Sequence, residues 1–75
     1  MALESVEFYP MVSTNVDSIG YDYEDGVLYI KFVNQALYYY EGVPPQVYDE
    51  ALVVSSIGRF VHTDLKGQYF YGRVS

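Results

Sequence analysis

The stretch Leu37-Tyr38-Tyr39-Tyr40-Glu41-Gly42-Val43-Pro44-Pro45 carries the chain from sheet to helix. Leu37 to Glu41 reads as a strand, and Pro44-Pro45 ends it while presetting the helical φ of a first-turn position. Beyond the prolines, Tyr48, Ala51, Leu52 and Ser55 fall at i, i+3, i+4 and i+7, the spacing of one amphipathic helix over residues 45 to 54. Asp49 and Glu50 sit near its N-terminal end, where acids suit the helix dipole, and read as a solvated face.

Upstream, Asp25-Gly26 separates two alternating runs, Ile19-Gly20-Tyr21-Asp22-Tyr23 and Val27-Leu28-Tyr29-Ile30-Lys31-Phe32. An Asp-Gly pair between such runs is a strong short hairpin signal. A two-residue type I′ loop pairs Tyr23 with Leu28, Tyr21 with Ile30 and Ile19 with Phe32, putting the large apolar partners on one face. The next turn, Asn34-Gln35-Ala36, decides the fate of three consecutive tyrosines. A two-residue loop sends Tyr38 and Tyr40 to the face of Tyr29 and Lys31. A longer one pairs Phe32 with Tyr38 and Ile30 with Tyr40, which buries that pair and exposes Tyr39. Burial is the expectation, because so short a chain needs its largest apolar side chains in the core. The predicted core is Tyr21, Leu28, Ile30, Phe32, Tyr38, Tyr40, Leu52, Phe60 and Leu65, and Phe32→Ala is expected to cost ~3–5 kcal/mol.

The chain has 75 residues and no cysteine, so one domain is expected and disulfides and thiolate metal sites are excluded. Ten tyrosines and four phenylalanines supply apolar bulk in place of length. Residues 1 to 7 read as a frayed end without signal-peptide character. A short edge strand follows from Phe8 to Val12, limited by Pro10, and then a turn at Ser13-Thr14-Asn15. No apolar run reaches the ~20 residues a membrane helix needs, and a cytoplasmic location is expected. Net charge is −6 but unevenly placed: residues 1 to 54 carry nine acids against Lys31, while residues 55 to 75 carry Arg59, Lys66 and Arg73 against Asp64. That balance argues against a generic phosphate-backbone binder.

Downstream, Ser56 can cap a second helix from Ile57 to Lys66, with Phe60, Val61 and Leu65 inward and Gly67 at the left-handed C′ position. Gln68-Tyr69-Phe70-Tyr71 reads as an extended tail packed back on the sheet. The fold class is thus α+β: an antiparallel meander of three to four strands, two short helices on one face, and an extended C-terminal tail.

In this order, Gly20-Tyr21-Asp22, Leu28-x-Ile30-x-Phe32, Tyr38-x-Tyr40, Val43-Pro44, Ser56-x-Gly58-x-Phe60, Leu65-Lys66-Gly67, Tyr69-x-Tyr71 and Arg73 resemble the KTSC domain from about Met11 to Arg73. That family occurs alone in small bacterial proteins and at the C-terminus of some lysyl-tRNA synthetases. Gln35 stands where the family often has glycine, His62 where asparagine is common, and Phe70 where proline is common. The resemblance implies RNA as a partner through the synthetase attachment. For that role the chain offers Tyr39, Arg59, Lys66, Tyr69, Tyr71 and Arg73 as a basic and aromatic binding surface of low affinity. The alternative is a protein-interaction or self-association module using exposed tyrosines and the charge segregation. No enzyme, cofactor or metal site is expected. The single His62 has no cysteine partner, Ser55, Ser56, Thr63 and Asp64 are mere sequence neighbours, and no glycine-rich phosphate loop occurs.

Overall fold

The computed structural model describes residues 3 to 74. Five strands, β1 (Phe8–Pro10), β2 (Val16–Asp22), β3 (Val27–Phe32), β4 (Leu37–Tyr40) and β5 (Tyr71–Arg73), pair antiparallel in that order to make one sheet. Between β4 and β5 run α1 (Pro45–Val53), α2 (Ile57–Phe60) and a π-helical turn (Val61–Leu65). The architecture is α+β, with five strands where three to four were expected. The difference is the C-terminal segment. Its Tyr71–Arg73 part is a strand, because β4 otherwise leaves unpaired backbone groups at a sheet edge. The Glu41 amide donates to the Phe70 carbonyl at 2.8 Å and the Val74 amide to the Leu37 carbonyl at 2.6 Å, closing that edge. At the other end, residues 1 and 2 of the segment read as frayed lie outside the described residues. Leu3–Ser5 form a 3-10 turn, and Val6 lies over Gly20, where an added Cβ would come within 2.8 Å of it.

The first hairpin differs from the expected register by two residues: Tyr21 pairs with Leu28 and Ile19 with Ile30. The Asp22 carboxylate explains the shift. Its Oδ1 accepts the amides of Glu24 at 3.0 Å and Asp25 at 3.3 Å, and the Gly26 amide reaches the Asp22 carbonyl at 2.8 Å. The loop therefore has four residues, with Gly26 in the left-handed region at φ +68°. A shift of two keeps every side chain on its face, so the core residues survive while Tyr23 moves into the exposed loop.

The second hairpin closes over Val33-Asn34-Gln35. The Gln35 amide donates to the Phe32 carbonyl and the Phe32 amide to the Ala36 carbonyl, both at 2.9 Å. Gln35 has φ +75°, which makes this a type I turn followed by a left-handed residue. Ile30 pairs with Tyr38 and Leu28 with Tyr40, two residues away from the expected pairs Phe32 with Tyr38 and Ile30 with Tyr40, because the short loop brings Ala36 opposite Phe32. A shift of two keeps the facing, so these tyrosines still share the helix-facing side as expected. Tyr40 is buried and Tyr38 half-buried. Tyr39 is on the opposite face but is half-buried rather than exposed, because its ring lies across Gly72 of β5.

One apolar cluster holds the two layers together. Ile19, Leu28, Ile30 and Tyr40 of the sheet meet Tyr48 and Ala51 of α1 and Ile57, Phe60, Val61 and Leu65 of the second helical segment. Phe32, Tyr38 and Leu52, predicted as core, are half-buried at its margin, whereas Val16, Ile19, Val43 and Ile57 are fully enclosed. The crossing from sheet to helix is held at Val43, whose amide donates to the Gly26 carbonyl at 3.0 Å and whose carbonyl accepts the Tyr21 hydroxyl. Tyr21 also stacks on Tyr48 of α1, with ring centroids 5.1 Å apart.

Two stability outcomes follow from this packing. Tyr21→Phe leaves the buried Val43 carbonyl without its donor and is expected to cost ~1–3 kcal/mol. Leu28→Ala is expected to cost ~3–5 kcal/mol, and Phe32→Ala distinctly less because Phe32 is only half-buried. Urea unfolding of the three variants checks both; an equal loss for Leu28→Ala and Phe32→Ala contradicts the core described here.

Candidate functional site

Ser56 starts the second helical segment by accepting the Arg59 amide on its hydroxyl at 3.3 Å. A single regular helix from Ile57 to Lys66 was expected. Instead the Thr63 hydroxyl donates to the Arg59 carbonyl at 2.9 Å, and the Lys66 amide bonds five residues back to Val61 at 2.9 Å. This is a π-type turn, of the sort that often marks a functional region. Gly67 at φ +89° ends it, as the left-handed position predicted. Gly58 and His62, four residues apart in the helical segment, and Lys66 at its extended C-terminal end line one side of a cleft beside the sheet.

Those three residues form one wall of the cleft, which is open and about 510 Å³ in volume. The floor is a run of rings from β3, β4 and β5. Phe32 meets Tyr38 edge-on at 5.6 Å, Tyr38 lies 6.4 Å from Tyr71, and Tyr71 stacks on Tyr40 at 5.5 Å. Asn15 and Asn34 contribute amides from the turns at one end. The charged lining is Lys66 and Arg73, with the His62 imidazole beside them, and no Asp or Glu among the described residues lines it. In a chain of net charge −6, such a lining is a local reversal of sign. Burial, reinforced by the neighbouring Tyr71 and Tyr38 phenols, pushes the Tyr40 hydroxyl up to about 12, so it stays a neutral hydrogen-bonding group at neutral pH.

Of the residues proposed from the sequence as a binding surface, Lys66, Tyr71 and Arg73 meet in this cleft. Tyr39 lies on the other face of the sheet, over Gly72. Arg59 does not line the cleft, since it is turned about 100° around the helix from Gly58. Tyr69 is half-buried against the core cluster. Tyr38, Tyr40 and Gly58, read as structural, are cleft residues as well. Asn15, Asn34 and His62 were missed. The four-residue spacing from Gly58 was the available signal for His62, whereas the asparagines come from turns whose approach is a tertiary fact. The His62 side chain makes no hydrogen bond among the described residues. No group of three or more His, Cys, Asp or Glu suited to a metal occurs among them, and no helix there is long and apolar enough to cross a membrane.

A single antiparallel sheet under one thin helical layer, with an open cleft between the sheet and its second helical segment, defines a small α+β domain. The KTSC domain model matches residues 12–69, and the chain belongs to that family. It is 37% identical over 60 residues to a protein of Tsukamurella paurometabola, covering 80% of this chain and 90% of that one. It is 40% identical over 63 residues to an uncharacterised protein of Stutzerimonas stutzeri, covering 83% and 89%. The crystal structure of a KTSC domain protein from Yersinia pestis superposes with a TM-score of 0.87 at 31% identity, over 93% of this chain and 99% of that one.

Alkaline titration checks the phenol environments. Tyr40 and Tyr48, each pushed up by burial to about 12, ionise more readily in the unfolded chain, whose ordinary value is 10.0. Their contribution to stability is complete below pH 10 and is lost as pH rises through about 12. The urea midpoint is expected to fall across that window, less steeply in Tyr40→Phe, whose ring has no phenol to ionise.

Proposed function

We propose that this chain is a small non-enzymatic binding module that takes a short single-stranded RNA segment in the cleft of Lys66, Arg73 and His62. The observation that carries this reading is the lining itself: cations and stacked rings, with no Asp or Glu among the described lining residues, in an otherwise acidic chain. Exposed single-stranded bases stack on aromatic side chains while cations neutralise the backbone. Tyr38 and Tyr71 supply the ring edges and faces at the cleft, and the Asn15 amide and the Asn34 NH2, whose own Oδ1 accepts the Ala36 amide, supply hydrogen bonds of the kind that read base edges. The acidic remainder repels a longer strand, so a short segment is favoured over a duplex. The synthetase-attached relatives implied by the sequence resemblance agree with weak binding that matters when the domain is tethered to another nucleic-acid-binding unit.

Fluorescence anisotropy of a labelled single-stranded RNA of about six nucleotides tests the reading. With Lys66 and Arg73 as the fixed cations, log affinity is expected to fall against log salt with a slope of about −1.4. Lys66→Gln with Arg73→Gln is expected to remove most of that slope, and Arg59→Gln to leave it nearly unchanged. Absence of binding, or binding that is independent of salt and survives the double substitution, would reject this reading of the cleft.

A further inference from the structure

The two edges of the sheet are built differently. In β1 the Met11 amide donates to the Asp17 carbonyl at 3.0 Å, so by alternation Tyr9 also faces β2, while Phe8 and Pro10 direct their backbone groups outward. Proline has no N–H to offer, and this edge is blunted. At β5, the bonds from Glu41 to Phe70 and from Val74 to Leu37 turn the backbone of Phe70, Gly72 and Val74 toward β4. The backbone of Tyr71 and Arg73 then runs along the outer side. No proline stands here, and Phe70, Tyr71 and Val74 are 70%, 38% and 45% exposed.

We propose that β5 pairs antiparallel with β5 of a second copy of the chain about a two-fold axis at Gly72, joining two five-stranded sheets into one. The strand is self-complementary in this register. Phe70 falls opposite the partner's Val74, an apolar pair, and Tyr71 falls opposite the partner's Arg73, so a guanidinium meets a phenol ring. Centring the pair on Arg73 instead would oppose two guanidinium groups, and centring it on Tyr71 would leave Val74 without an apolar partner. Gly72 faces itself across the axis, and the Tyr39 ring occupies the space where its side chain would be. Head-to-tail pairing of β5 with β1 meets the outward Pro10. Tyr71 and Arg73 project to the cleft side, so the pairing sets two clefts side by side on one face, whatever they bind.

Sedimentation equilibrium of the full chain between about 10 µM and 1 mM suits an interface of under about 1,200 Å². The apparent mass is expected to rise from 8.6 kDa toward twice that value. Phe70→Lys with Val74→Lys opposes like charges across the axis and is expected to hold the chain monomeric. Phe70→Glu with Val74→Lys opposes unlike charges in the same register and is expected to restore the dimer, now weakened by salt. A monomeric wild type at the top concentration, or two double variants that behave alike, overturns the proposal. Hydrogen exchange at the Tyr71 amide gives a second readout on unaltered protein: it is expected to slow as concentration rises, and exchange independent of concentration overturns the pairing equally.

Discussion

Both backbone groups of Val43 are held by the first hairpin, the amide by the Gly26 carbonyl and the carbonyl by the Tyr21 hydroxyl. This is where the chain leaves the sheet for the helical layer, and no polar group at a buried crossing can be left unmatched cheaply. Because the tie is made by β2 and its loop, it brings α1 back over β2 and sets Tyr48 on Tyr21. The placement of α2 follows, since only the short link from Val54 to Ser56 separates the helices. The cleft wall of Gly58, His62 and Lys66 is thereby positioned by a contact at the far end of the sheet.

Tyrosine does in this domain what chain length does in larger ones. Tyr21, Tyr40 and Tyr48 are buried, and each meets another ring at stacking distance. The same residue type forms the cleft floor where Tyr38 and Tyr71 reach the margin. Core and candidate site are therefore continuous: the Tyr40 ring is part of both. A phenol serves each environment because its ring is apolar and its hydroxyl can be satisfied at a rim or by a buried carbonyl. Charge follows a complementary division, with the acids spread over the first two thirds of the chain and the cleft lined by groups of the opposite sign. KTSC membership accounts for the shared fold, and the cleft chemistry is read from this chain's own residues.

Much of the fold was legible in the sequence, and the reason differs from element to element. Hairpin existence and side-chain facing came from period-two alternation, which survives any shift of two residues; hence Tyr21, Leu28, Ile30 and Tyr40 were placed inward although the register differed. The helix after Pro44-Pro45 and the left-handed Gly67 came from local backbone restrictions that need no tertiary partner. Half of the expected binding surface lies away from the cleft for a related reason: Tyr39 is on the other face of β4, Arg59 is turned around the helix from Gly58, and Tyr69 packs against the core cluster.

The sequence by itself determined which residues face the core, where the chain turns, and that its final third is basic, because periodicity, proline, glycine and charge act locally. Only the tertiary structure decided the first hairpin's register, the conversion of the C-terminal tail into β5, and the meeting of Asn15, Asn34, His62, Lys66 and Arg73 around one cleft. Each of these depends on a partner distant along the chain or on competition for one. The Asp22 carboxylate competes with the backbone for loop amides, and Tyr71–Arg73 is a strand because β4 presents an edge for it to complete.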